Sequence, residues 1–138
     1  MHRILFFLPL LFLTTACQTT DPVQRRFTRA DTDMDSRLSR SELSDFAMRN
    51  VFDARDLNND GELTPVEWWP GDDAAQRALF NQRDANQDGI VTLAEALAWG
   101  RGNPNWDQIL NAADLDGDAF VTLAELRTYL ASKEGPVR

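Results

Sequence analysis

Four twelve-residue segments of this 138-residue chain align without gaps: Asp31 to Glu42, Asp56 to Glu67, Asp84 to Glu95 and Asp114 to Glu125. Each has Asp first, Asp or Asn third and Asp fifth. Each then has an aliphatic residue eighth (Leu38, Leu63, Val91, Val121), Ser or Thr ninth, and Glu twelfth. A large apolar residue stands four positions before each segment, at Phe27, Phe52, Phe80 and Leu110, so the repeat includes the flanking chain. A fold built on such a repeat stacks one supersecondary unit several times and buries a core between copies.

Between the repeats the pattern is helical. Asp21-Pro22 offers a cap and a first-turn proline for a helix ending near Ala30. Leu43, Phe46, Ala47 and Val51 recur at spacings of three and four, giving an apolar face over 43–55. Pro70-Gly71 breaks the next linker, and Asp72 is placed to cap a helix running to about Arg83. Gly100 to Pro104 breaks the third, before an amphipathic stretch marked by Trp106, Ile109, Leu110 and Ala113. The repeats begin at 31, 56, 84 and 114, so only 13 residues separate the first two. As one unbroken helix these would span about 20 Å and hold the two loops apart.

The acidic residues concentrate where they could surround an ion. Positions one, three, five and twelve hold 14 of the 22 acids, which makes general solubility an insufficient account of the charge. A bland explanation covers part of the pattern. Ser39-x-x-Glu42, Thr64-x-x-Glu67, Thr92-x-x-Glu95 and Thr122-x-x-Glu125 are capping boxes that any helix start could carry. Caps leave positions one, three and five unexplained, where clustered carboxylates repel one another without a cation.

Asp56-x-Asn58-x-Asp60-Gly61-x5-Glu67 and Asp84-x-Asn86-x-Asp88-Gly89-x5-Glu95 resemble the loop of the EF-hand calcium-binding family. The resemblance implies an all-α fold of helix-loop-helix repeats, with at most very short β-pairing between loops. It implies two to four Ca²⁺ ions held by oxygen atoms. The side-chain ligands would be Asp31, Asp33, Asp35 and Glu42; Asp56, Asn58, Asp60 and Glu67; Asp84, Asn86, Asp88 and Glu95; and Asp114, Asp116, Asp118 and Glu125. Arg37, Glu62, Ile90 and Phe120, at position seven, would each give a backbone carbonyl, leaving their side chains free to vary. Ser39, Thr64, Thr92 and Thr122 suit position nine, which often acts through water. Loops one and four depart at position six, where Ser36 and Ala119 replace glycine; a left-handed residue with a Cβ costs about 1 kcal/mol, or roughly fivefold in affinity. Two pairings stay open: family habit favours one with two and three with four, while the breakers favour turns after loops two and three.

The N-terminus reads as a targeting segment. Met1-His2-Arg3 is basic, Ile4 to Leu13 is apolar apart from Pro9, and this run is shorter than the roughly 20 residues that span a bilayer. Leu13-Thr14-Thr15-Ala16-Cys17 resembles the lipobox of bacterial lipoproteins. It implies a signal peptide over 1–16, a lipidated Cys17 with a short tether over 17–20, a four-loop domain over 21–133 and a flexible tail over 134–138. The implied location is the bacterial cell envelope, with Gln18 resembling lipoproteins forwarded to the outer membrane of a Gram-negative cell. Beyond residue 16 the chain carries 13 basic and 22 acidic side chains, a net −9. Such a surface repels nucleic acid and attracts cations.

Histidine occurs once, at His2, and cysteine once, at Cys17, so the usual nucleophilic and metal-hydrolytic constellations lack their parts and no enzyme is expected. The expectation is a calcium sensor or regulator that meets a protein partner through a helical surface bearing Trp68, Trp69, Trp99 and Trp106. The alternatives are a calcium-stabilised structural or adhesion module and a cation buffer at the envelope. Tryptophan on an amphipathic helix more often belongs to the core, and outside the cytoplasm even sites of about 10⁻⁴ M stay filled, which favours structure over signalling.

Overall fold

A computed structural model describes residues 21–71 and 73–133. The expected signal peptide, Cys17, Asp72 and the tail after 133 lie outside the described residues. Those residues form seven helices and four two-residue strands: α1 (Pro22–Ala30), β1 (Arg37–Leu38), α2 (Arg40–Arg55), β2 (Glu62–Leu63), α3 (Pro65–Trp68), α4 (Ala74–Asn81), β3 (Val91–Thr92), α5 (Leu93–Gly102), α6 (Asn105–Ala113), β4 (Val121–Thr122) and α7 (Leu123–Lys133). The protein is mostly helical, with two small antiparallel sheets, and no helix among the described residues is long and apolar enough to cross a membrane.

The helix starts follow from local chemistry. The Asp21 side chain accepts the Val23 N–H and Pro22 occupies the first turn of α1. Ser39, Thr64 and Thr92 each close a reciprocal capping box with the Glu three residues on, and Thr122 makes the same bonds with Glu125. These contacts satisfy N–H groups that a helix start leaves open. Asp73 caps α4, which ends at Asn81 rather than near Arg83.

The apolar face expected over 43–55 belongs to a helix that begins three residues earlier, at Arg40. Over 100–104 the break falls later than Gly100. α5 continues through Gly100 to Gly102, and the chain turns at Asn103-Pro104. Gly100 is buried against α2. A Cβ there would lie 2.5 Å from Met48 Cγ, so this glycine serves a close helix crossing and does not end the helix.

Pairing of the strands resolves the open question of which loops meet. β1 pairs with β4, placing Leu38 opposite Val121, and β2 pairs with β3, placing Leu63 opposite Val91. Loop one therefore joins loop four, and the inner pair, two and three, is nested between them. The sixteen-residue α2 is the cause: at 1.5 Å per residue it is about 24 Å long, and it carries loop one at its start and loop two at its end.

All four position-eight residues are buried to within 1% of complete burial, which explains the repeated aliphatic side chain. Around Leu38 and Val121 gather Phe27, Leu43, Phe46 and Leu126 to form the core of the outer lobe. Around Leu63 and Val91 gather Phe52, Trp68, Phe80 and Ala96 to form that of the inner lobe. Met48, Leu97 and Trp106 form a third cluster where α2, α5 and α6 meet.

Candidate metal centres

Each loop begins on the carbonyl of the apolar residue four positions earlier. The N–H groups of Asp31, Asp56, Asp84 and Asp114 donate to Phe27, Phe52, Phe80 and Leu110 at 2.9, 2.9, 3.1 and 2.8 Å. These apolar side chains sit in or against the cores, so the lobe interior fixes where each first Asp stands.

Inside the loops one construction recurs. The first Asp accepts the N–H groups of positions five and six: Asp35 and Ser36 on Asp31, Asp60 and Gly61 on Asp56, Asp88 and Gly89 on Asp84, Asp118 and Ala119 on Asp114, all between 2.9 and 3.2 Å, and Asp114 also accepts the Gly117 N–H at 2.7 Å. The third-position oxygen, on Asp33, Asn58, Asn86 or Asp116, accepts the same position-five N–H at 3.0–3.2 Å. The fifth Asp accepts the N–H of Arg37, Glu62, Ile90 or Phe120 at 2.8–2.9 Å. Repulsion among these carboxylates is thus partly relieved by the backbone itself, a contribution that charge counting misses.

Turning the chain this tightly requires left-handed residues at positions four and six of every loop. They are Met34 and Ser36, Asn59 and Gly61, Gln87 and Gly89, Gly117 and Ala119, with φ between +58° and +86°. Loop four has its glycine at position four instead of six. Ser36 and Ala119 both reach φ +68°, so loops one and four close in the same conformation despite their Cβ atoms.

The twelfth-position glutamates return to the loops they follow. One oxygen of Glu42 accepts Ser39 N–H and hydroxyl, and the other accepts Thr32 N–H and hydroxyl. Glu95 and Glu125 likewise bridge the cap to the second loop residue, Ala85 or Leu115. Glu67 is held by Thr64 and by the N–H groups of Leu57 and Asn58. Burial, taken alone, would raise the Glu42 carboxyl, but the bonds from Ser39 and Thr32 outweigh it and hold the group at about 2. Glu67, Glu95 and Glu125 are also lowered, first by the N–H of the capping threonine. The position-nine hydroxyls are engaged in these caps.

In loops one and four the sequence-selected acids converge. A carboxylate oxygen from each of Asp31, Asp33 and Asp35 lies within 4.8 Å of the others, and the same holds for Asp114, Asp116 and Asp118. Loops two and three place an amide oxygen at the third position, and the Asn58 and Asn86 Nδ2 atoms each donate at 2.8 Å to the fifth Asp. No family model, no curated protein and no solved structure matches this chain. Its chemistry is therefore read from its own donors. Histidine and cysteine are absent from the described residues, and the clustered donors are all carboxylate or amide oxygens, a set suited to a hard divalent cation and poor for zinc or copper.

Two features escape a position-by-position reading. The Arg37 side chain, at a position where the side chain is free to vary, donates to Asp118 Oδ2 in loop four at 3.1 Å and pairs with Asp35 Oδ2 at 3.5 Å. Arg83, immediately before loop three, is buried between tryptophans, 3.7 Å from the Trp99 ring centre and 4.7 Å from that of Trp68. The Arg37–Asp118 bond and the Arg83–Trp68 contact join different repeats, which no single repeat displays. The tryptophans also separate: Trp68 and Trp106 are core residues, whereas Trp69 is 39% exposed and lines a cleft of about 310 Å³ with Trp68, Phe80 and Gly89.

Proposed function

We propose that this protein binds calcium through four EF-hand loops, is exported and held at a membrane by a lipid on Cys17, and acts as a calcium sensor or regulator. The observation that carries the reading is the repetition of one construction four times. Oxygen-bearing side chains at positions one, three and five are locked by backbone N–H groups, and a glutamate is tied back from the following helix. Calcium requires six to eight oxygens around a point, and each loop supplies several from one short, sharply turned segment. Zinc, by contrast, would look for nitrogen or sulfur donors.

Support for a sensor comes from the inner lobe. The cleft at Trp69 is lined by Asp84 and Gly89 of loop three as well as by apolar side chains. A change in that loop would therefore reach a surface suited to a protein partner. A structural module is the second reading, favoured by Trp68 and Trp106, whose burial makes them core residues rather than a waiting surface.

The test is a calcium titration of the full chain in detergent, followed by calorimetry, tryptophan emission and a hydrophobic dye. Calcium binding at two or more sites, with an emission change from Trp68 and Trp69 beside Glu67, is expected. Dye uptake that rises with calcium identifies a sensor, a cooperative gain of helix identifies a structural module, and heat without either identifies a buffer. Absence of heat at millimolar calcium sinks the reading.

A further inference from the structure

The two lobes steady their fifth-position carboxylates differently. In the inner lobe each loop does so alone, through the Asn58 amide on Asp60 and the Asn86 amide on Asp88. Loops one and four have Asp33 and Asp116 at the third position, and a carboxylate has no N–H to give. One guanidinium serves both loops instead. Arg37 bridges Asp35 Oδ2 of its own loop and Asp118 Oδ2 of the partner loop, and its Cζ lies 4.4 Å from the centre of the Phe120 ring. Phe120 is the position-seven residue of loop four, so the two position-seven side chains meet across the β1–β4 ladder.

We propose that Arg37 is a tethered cation shared by loops one and four, which opposes divalent ions in this pair and makes their entry cooperative. The proposal rests on loops one and four being ion sites. A guanidinium bonded to carboxylates that would ligate two ions stands well inside one Debye length of both, so its repulsion toward them is weakly screened. An ion entering either loop works against that charge and expels the whole guanidinium from between Asp35 and Asp118, breaking both contacts. The second ion then meets a loop from which Arg37 has already been displaced. Because one side chain serves both loops, the cost is met once for two ions, and positive coupling follows. At position seven the inner lobe has Glu62 and Ile90, neither of them a cation, so its two loops lack this device.

A merely structural Arg37 predicts the opposite sign, because removing a loop-ordering contact weakens binding. The experiment uses the full chain in detergent, with Glu67→Gln and Glu95→Gln silencing the inner pair, and calcium as the probe. With Arg37 in place, the outer pair is expected to take two ions cooperatively. Arg37→Gln is expected to tighten binding about tenfold and abolish the coupling, while Arg37→Lys stays within about threefold of the parent because the charge remains. Without calcium, Arg37→Gln is expected to melt at a lower temperature than the parent. Unchanged or weaker binding in a folded Arg37→Gln protein overturns the proposal. So do independent sites in the outer pair of the parent, a measurement that needs no change at Arg37. Calcium heat from neither pair would instead overturn the function on which this proposal stands.

Discussion

Gly100 on α5 lies so close to Met48 on α2 that a Cβ would come within 2.5 Å of Met48 Cγ and 2.9 Å of Ser44 Oγ. Neither neighbour has room to withdraw, since Ser44 is fully buried and Met48 packs with Leu97 and Trp106. Gly100→Val should therefore destabilise the protein by about 2–3 kcal/mol, read from urea unfolding in the presence of a chelator. Gly100→Ala should cost less, because the gain of about 1 kcal/mol in helix propensity offsets part of the clash. A Val variant as stable as the parent would mean that the helices separate without penalty.

Asp45 is almost wholly buried on α2, and the Arg101 fork on α5 grips both its oxygens, at 2.8 and 2.5 Å. Breaking a fully buried pair costs about 3–5 kcal/mol, but Arg101 is 54% exposed and its charge is partly screened. Arg101→Met should consequently lower stability by about 2 kcal/mol. Equal urea midpoints for variant and parent would show that water replaces the fork.

Ala119 and Ser36 pay for their Cβ at φ +68°. Ala119→Gly should stabilise the metal-free protein by about 1 kcal/mol and leave calcium affinity in its loop within about twofold, because relief shared by the free and the bound loop cancels from binding. Gly61→Ala, at φ +82° in loop two, should destabilise the metal-free protein by about 1 kcal/mol. Calorimetry and thermal melts on the two variants check both signs.

Glu42 gives the metal-free protein an acid limb. Its folded carboxyl is lowered from 4.5 to about 2, because the N–H and hydroxyl bonds from Ser39 and Thr32 outweigh desolvation. A lowered folded value means that the unfolded chain binds the proton more readily. Stability from this group is complete above about 4.5 and is lost as pH falls toward 2. Glu42→Gln should flatten the pH dependence of the melting temperature across that window; an unaltered slope would remove Glu42 as its source.

Local chemistry was legible in the chain because it is written within each repeat. The caps at Ser39, Thr64, Thr92 and Thr122, the buried aliphatic residues at position eight and the acids that converge in loops one and four all follow from residues within one loop and its flanks. What lay hidden depends on residues far apart in the chain. Nothing in Gly100 distinguishes a helix breaker from a helix contact until Met48 is opposite it. Arg37 and Asp118 stand 81 positions apart, and their bond exists only because loop one pairs with loop four. Even there the sequence held a partial signal: Asp in place of Asn at position three removes the internal donor that loops two and three use.

The nesting of the two lobes also sets how the protein carries load. Asp21, at the start of α1, is bonded to Arg127 on α7 at 2.8 Å, so the first described residue is tied to the last helix. A pull between them bears first on that bond and on the Leu38–Val121 pair, while Leu63 and Val91 lie farther along the chain, inside the outer pair. Under tension the outer lobe should therefore open first, with the inner lobe closed until the slack this releases is taken up; an inner-lobe opening that comes first in single-molecule pulling would contradict this order.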